Sequence, residues 1–194
     1  MKIVCLAWGS LIWKPEAVPV GEWRPGGPSL PIEFARVGES GELATVVTPG
    51  APTCAVHWAR LREPDLSVAT TLLRQREGIR DDHYVGMHVA GVAAGPWLGA
   101  VEIDRWARAQ GEVEAVIWTA LPPRFDETVS RVPSPDEAAR YLASLVGERR
   151  RHAEDYVRRV PEEIAATPNR RALEALIAAT SPPAGPPAEG SDAA

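Results

Sequence analysis

The sequence predicts an α+β domain, because short strand-like runs dominate its first 120 residues and helical periodicity dominates the remainder. A further sign is Ser134-Pro135-Asp136-Glu137, a capping box with proline at the first helical position. At 194 residues, 45% hydrophobic and 24% charged, the chain has the length and balance of one globular domain, expected over residues 1–180. No internal repeat is evident.

The elements follow in order. Runs rich in Val, Ile, Trp and Ala, each bounded by Gly, Pro or Asp clusters, predict six strands over residues 2–8, 31–37, 42–48, 54–61, 83–92 and 113–120. Residues 15–30 hold four prolines and three glycines without helical period, which predicts a long irregular crossover after the first strand. Asp65 is the N-cap of a helix on which Leu66, Ala69, Leu72 and Leu73 recur at helical spacing as far as Arg76. Gly78 can take the left-handed conformation that ends it, so Glu77 falls at the helix C-terminus. A second helix is expected over 98–110, closed by Gly111. From Ser134, Leu142, Leu145, Val146, Ala153, Tyr156 and Val157 form one apolar stripe, predicting a single long helix. Its other face, with Glu148, Arg149, Arg150, Arg151, Glu154, Arg158 and Arg159, reads as solvated and laced by intrahelical pairs. Thr167-Pro168 opens a last helix through Ala179, and the Pro, Gly, Ala and Ser composition of residues 181–194 predicts a disordered tail.

A formal charge of −5 gives no broad basic surface for nucleic acid or anionic lipid, so neither is an expected partner. The apolar run Ile3 to Trp8 is too short for a signal segment or a membrane span, and the expected location is the cytoplasm. Cys5 and Cys54 lie inside apolar runs and are expected to be buried thiols without a disulfide.

Two places carry chemistry. Gly9-Ser10 ends the first strand with side chains small enough for a ligand to approach the backbone N–H groups, an arrangement suited to a carboxylate. Glu77 faces the negative end of a helix macrodipole beside Asp81 and Asp82, which raises its pKa toward that of a general acid/base, while Arg74 and Arg76 oppose the shift if they point the same way. Other constellations are weaker. Ser10 lacks a Gly-x-Ser-x-Gly elbow and a paired histidine; Cys54 and His57 fall on opposite faces of a strand. His57, His83, His88 and His152 have no metal-ligand spacing, so no metal is expected, and no Gly-rich phosphate loop is present. Arg36 and Glu33 take opposite faces of one strand, so one of the two charges lines its inner face. Of the seven tryptophans, Trp13 and Trp23 lie in the crossover, where they can wall a pocket.

The segment Trp8-Gly9-Ser10-Leu11-Ile12-Trp13-Lys14-Pro15, followed about seventy residues later by Arg74-Gln75-Arg76-Glu77-Gly78, resembles the gamma-glutamylcyclotransferase-like family. Its signature is an aromatic-Gly-Ser-Leu loop after strand one and a glutamate ahead of a glycine. Trp8 stands where tyrosine is usual. The resemblance covers mainly residues 1–92, with the strand from Glu114 to Ala120 as the closing element, and extends to Tyr84, seven residues beyond the glutamate. It implies a small mixed barrel of about six strands with helices packed outside. It also implies that Trp8, Gly9, Ser10, Leu11 and Tyr84 bind a gamma-glutamyl substrate, and that Glu77 passes a proton from the substrate's α-amine to its leaving nitrogen. The products are 5-oxoproline and a free amine, and no cofactor is needed. Lys14-Pro15 resembles the glutathione-directed ChaC-type branch, whereas Gln75 to Gly78 is closer to the branch acting on gamma-glutamyl amino acids. The alternatives are a non-catalytic binding barrel, favoured by Trp8, and a Ser10-dependent hydrolase. Nothing in the sequence sets the oligomeric state.

Overall fold

The computed structural model describes residues 1–164 and 166–180 as a mixed α+β fold of two sheets and five α-helices. In chain order the strands are β1 (Ile3–Ala7), β2 (Ser29–Val37), β3 (Leu43–Val47), β4 (Thr53–Ala55), β5 (His57–Arg60), β6 (Val85–Val89), β7 (Ala115–Thr119), β8 (Arg124–Phe125) and β9 (Thr128–Val129). The helices are α1 (Leu66–Arg76), α2 (Ala100–Ala109), α3 (Pro135–Ser144), α4 (Gly147–Arg159) and α5 (Pro168–Thr180). The tail expected over 181–194 lies outside the described residues.

One sheet has the order β5-β1-β7-β6, with β1 parallel to β7 and antiparallel to β5. All five residues of β1 are buried, because both faces of this central strand are covered. Val4 and Leu6, with Trp8 just beyond, point into the main core against Ile32, Phe34, Val116 and Trp118. Ile3, Cys5 and Ala7 point the other way, into a second core with Ala69 and Leu73 of α1. The other sheet runs β3-β2-β8-β9, with β4 also paired to β2.

Among the described residues the strand pairing leaves both sheets open, and no closed barrel forms. The strand expected over 54–61 divides at Val56. Before it, β4 pairs with β2; after it, β5 pairs with β1, while Val56 itself bonds through its backbone to Gly27 and Pro28 of the crossover. One segment thus serves both sheets without continuous pairing between them.

Asp65 caps α1 by accepting from the N–H groups of Ser67 and Val68, and Gly78 ends it with φ +61°. The long helix expected from Ser134 is instead two: Leu145 and Val146 are extended, Gly147 has φ +59°, and the Val146 side chain is 79% exposed. The capping box at Ser134 and Glu137 is present. The hairpin of β8 and β9 has no glycine, and its turn forces Asp126 and Glu127 to φ 50° and 55°. That is why it escaped a reading based on turn residues.

Glu33 is turned away from the site and stitches β2 to α5. Its buried carboxylate accepts from the Thr167 hydroxyl and the N–H groups of Phe34 and Asn169, at the N-terminus of α5. Burial raises its pKa in spite of these bonds. The folded state therefore holds the proton more tightly than the unfolded chain, and this contribution is present below the ordinary glutamate pKa and lost as pH rises through the raised one. Glu33→Ala should cost about 2 kcal/mol or more in urea unfolding by leaving buried donors unpaired. Glu33→Gln should cost less and should flatten the decline in stability as pH rises above the ordinary glutamate range; an unchanged pH dependence would remove Glu33 as its source.

Candidate functional site

A cavity of about 830 Å³ lies between the two sheets, walled by the end of β1, the loop Trp8 to Leu11, strands β2 and β3, the C-terminal end of α1, and Tyr156 of α4. This is the size range of small-molecule sites. All six residues expected at the site, Trp8, Gly9, Ser10, Leu11, Glu77 and Tyr84, line it.

The loop after β1 turns through Gly9 into a single 3₁₀ turn, Ser10–Ile12. Glycine is required by close approach: a Cβ there would lie 2.5 Å from the Tyr156 hydroxyl and 2.7 Å from Thr45 Oγ1. Those two groups fix the loop. Thr45 Oγ1 donates to the Trp8 carbonyl at 2.9 Å, which leaves the Tyr156 hydroxyl to donate to Thr45 Oγ1 at 3.0 Å while it accepts from the Thr45 N–H at 3.2 Å. Burial pushes the Tyr156 hydroxyl up to about 12. Trp8 is buried in the main core and Leu11 in the second, so both anchor the loop by packing. Trp13 packs edge-on against Tyr156 and walls a smaller chamber of about 210 Å³ beside Ser10 and Arg76, whereas Trp23 packs on the second core.

Glu77 is the C-cap residue of α1, with its side chain 16% exposed. The neighbouring Arg76 side chain is 7% exposed and holds the centre together. Its Nη1 donates to Glu77 Oε1 at 2.6 Å and its Nη2 to Ser10 Oγ at 3.1 Å, while Nε and Nη2 donate to the Lys14 carbonyl at 3.0 and 2.7 Å. Burial raises the Glu77 pKa; Arg76 and a hydrogen bond with Thr119 oppose the rise, and Glu16 adds to it. The expected sources, Asp81 and Asp82, do not supply it. Asp82 is drawn outward to Arg74 at 2.9 Å, and Asp81 caps a short turn by accepting from the His83 N–H. Of the two arginines weighed against the shift, Arg76 points inward and Arg74 does not.

Arg36, rather than Glu33, faces the cavity, with Arg124 beside it; Glu42 and Thr119 also line it. Sequence reasoning assigned no site role to Tyr156, Thr45, Arg124, Glu42 or Thr119. Tyr156 was legible only as a member of an apolar stripe, and the rest depend on strand register. Ser10 Oγ has Arg76 as its partner, a cation that cannot accept a proton. His152, in the adjoining chamber, faces Glu42 at 3.4 Å. Cys5 and Cys54 are free thiols; burial raises the pKa of both, to about 11 for Cys54. Among the described residues no group of three or more His, Cys, Asp or Glu is placed to hold a metal, and no helix is long and apolar enough to cross a membrane.

No model of a known protein family matches this chain, and no curated protein matches it. Gly9→Ala should displace the Tyr156 and Thr45 hydroxyls and lower stability by about 1–3 kcal/mol, read by thermal or urea unfolding. A variant as stable as the parent would show that the loop is held by other contacts.

Proposed function

We propose that this chain is a cyclotransferase that converts a gamma-glutamyl amine or peptide to 5-oxoproline and a free amine, with Glu77 as the general acid/base. The observation that carries the reading is the join between its two halves: Arg76 bonds Ser10 of the loop and the Glu77 carboxylate within one sheltered cavity. The gamma-glutamylcyclotransferase-like fold belongs to this reading, its barrel open as two sheets rather than closed. The passage of one segment from sheet to sheet at Val56 supports it.

In the proposed reaction the substrate's α-amine nitrogen attacks its own γ-carbonyl carbon, and the C–N bond to the leaving amine then breaks. Glu77 takes one proton from the attacking nitrogen and delivers it to the leaving nitrogen, so no other reactant is consumed. Because nucleophile and electrophile share one molecule, the protein's work is chiefly to hold the substrate in a ring-forming conformation. The loop at Gly9, Ser10 and Leu11 receives the α-amino-acid end, with backbone N–H groups near Ser10 facing the developing oxyanion. Tyr84 and Trp8 wall the remainder. The partner is a small molecule, and a cytoplasmic setting goes with the two free thiols.

Glu77 must be ionised to begin the cycle. Its raised pKa places the acid limb of the pH–rate profile above the ordinary glutamate range, and activity falls as pH drops through it. Arg76→Met removes the groups that lower that pKa, so the limb should move to higher pH. Assays of gamma-glutamyl amines and peptides for 5-oxoproline should show release by the parent chain and a loss of about 100-fold or more in Glu77→Gln, with activity surviving in Ser10→Ala. Loss confined to Ser10→Ala would favour a serine hydrolase, and binding without product in the parent chain a non-catalytic binding protein.

A further inference from the structure

We propose that this chain pairs with a second copy of itself through the free edge of β6, the two strands running antiparallel about a twofold axis at Met87 and joining their sheets into one. The inference stands apart from the cyclotransferase reading and uses none of the side chains given a role in it.

β6 ends the order β5-β1-β7-β6, so one side of it meets no strand. The bonds at its two ends fix which groups face that side. The Tyr84 carbonyl accepts from the Ala120 N–H at 2.8 Å, and the Ala90 N–H donates to the Glu114 carbonyl at 2.9 Å. By the alternation of an antiparallel ladder, Gly86 and His88 between them also turn their backbone groups toward β7, and Val85, Met87 and Val89 turn theirs outward. Two of the outward groups are satisfied within the chain: the Val85 N–H donates to the Asp82 carbonyl, and the Val89 carbonyl accepts from the Val92 N–H at 3.0 Å. Among the described residues the Val85 carbonyl, the Met87 N–H and carbonyl, and the Val89 N–H have no partner.

Those four groups complement themselves. Antiparallel pairing centred on Met87 sets Met87 opposite Met87 of the second copy, and Val85 opposite Val89. The two Met87 residues exchange both of their bonds, and each Val89 N–H reaches a Val85 carbonyl. The remaining bond of the pair formed by Val85 and Val89 would take the Val85 N–H and the Val89 carbonyl, the same two groups that each chain has already used. Every free donor thus meets a free acceptor and none is left over. An unrelated strand would have to match this gap by coincidence, whereas a second copy matches it by symmetry.

The side chains agree. A twofold axis sets the residues near it against their own copies, so a charge there would meet a like charge. From Val85 to Val101 there is no Asp, Glu, Lys or Arg, in a chain that is 24% charged, and His88 is buried against Asp104 of α2 at 2.9 Å. Met87 is 47% exposed, although Val85 and Val89 on the same face of the strand pack on the second core. Val92, Leu98 and Val101, further along the same uncharged stretch, are exposed as well. Sheet edges that stay single are normally protected by charge, proline, brevity or cover. The crossover covers β5, with Gly21 and Arg24 bonded to Arg60 and Trp58; Tyr156 takes the Thr45 N–H of β3; and β9 has only two residues. At Met87 the edge of β6 has none of these.

In analytical ultracentrifugation the parent chain at about 100 μM should sediment with twice the mass of one chain. Met87→Lys sets two like charges on the axis and should return it to the mass of one chain, and Met87→Asp should do the same. An equimolar mixture of these two variants should recover the double mass, because position 87 then faces an opposite charge. Hydrogen exchange of the parent chain gives a readout without any variant: the Met87 and Val89 N–H groups should exchange more slowly as concentration rises. A parent chain of single mass at about 100 μM would overturn the proposal and leave the edge to an extended segment of another protein. Exchange at Met87 and Val89 that is independent of concentration would overturn it too. So would a double mass that survives Met87→Lys, or a mixture that restores nothing, since position 87 would then not face itself.

Discussion

The Arg76 guanidinium is the constraint on which the centre depends. It is almost wholly buried, so each of its donors needs an acceptor, and it finds them on Ser10, the Lys14 carbonyl and Glu77. Ser10 and Lys14 lie on the loop after β1, and Glu77 on the end of α1. One cation thereby fixes the distance between loop and helix and orients the carboxylate. A burial-raised carboxylate beside a fixed cation is drawn in two directions, toward the proton by desolvation and toward ionisation by charge. A group balanced in this way suits proton transfer.

The fold supports this centre through β1. Its two faces lie in different cores, so any tilt of the strand would disturb packing on both sides. The loop begins where that strand ends, and Trp8 and Leu11 continue the alternation by entering the two cores separately. Thr45 then ties the Trp8 carbonyl to the second sheet, and Tyr156 closes over Gly9. The loop's position is therefore set by three elements distant in sequence.

Much of this was legible in the residues. Helix α1, its Asp65 cap, its Gly78 stop and the place of Glu77 follow from spacing and turn chemistry, and all six expected site residues line one cavity. Tertiary facts were not legible. A strand pattern cannot show that Val56 hands the chain from one sheet to the other, nor that a register shift aims Arg36 inward. The apolar stripe from Leu142 to Val157 concealed a break, because Leu145 and Val146 fit the helical period without being helical. The cause of the Glu77 shift was misread for a related reason. Neighbours in sequence, Asp81 and Asp82, were weighed as neighbours in space, whereas burial and a residue of the crossover, Glu16, act on it.

Trp8 stands where the family that this loop resembles usually has tyrosine, so that hydroxyl is missing here, but the loop is not left without one. The indole is buried in the main core, where a phenolic hydroxyl would need a partner of its own. A hydroxyl reaches the same turn from elsewhere: Tyr156, carried by α4, approaches Gly9 so closely that no side chain fits between them. Its proton is directed to Thr45, so it serves to hold the loop rather than to exchange protons. In the proposed reaction the ionisable work of the cavity falls to Glu77, charge-balanced by Arg76. Because one guanidinium ties this carboxylate to the loop, the two are held in a fixed relation, and orientation is the larger part of what the proposed intramolecular reaction asks of a protein.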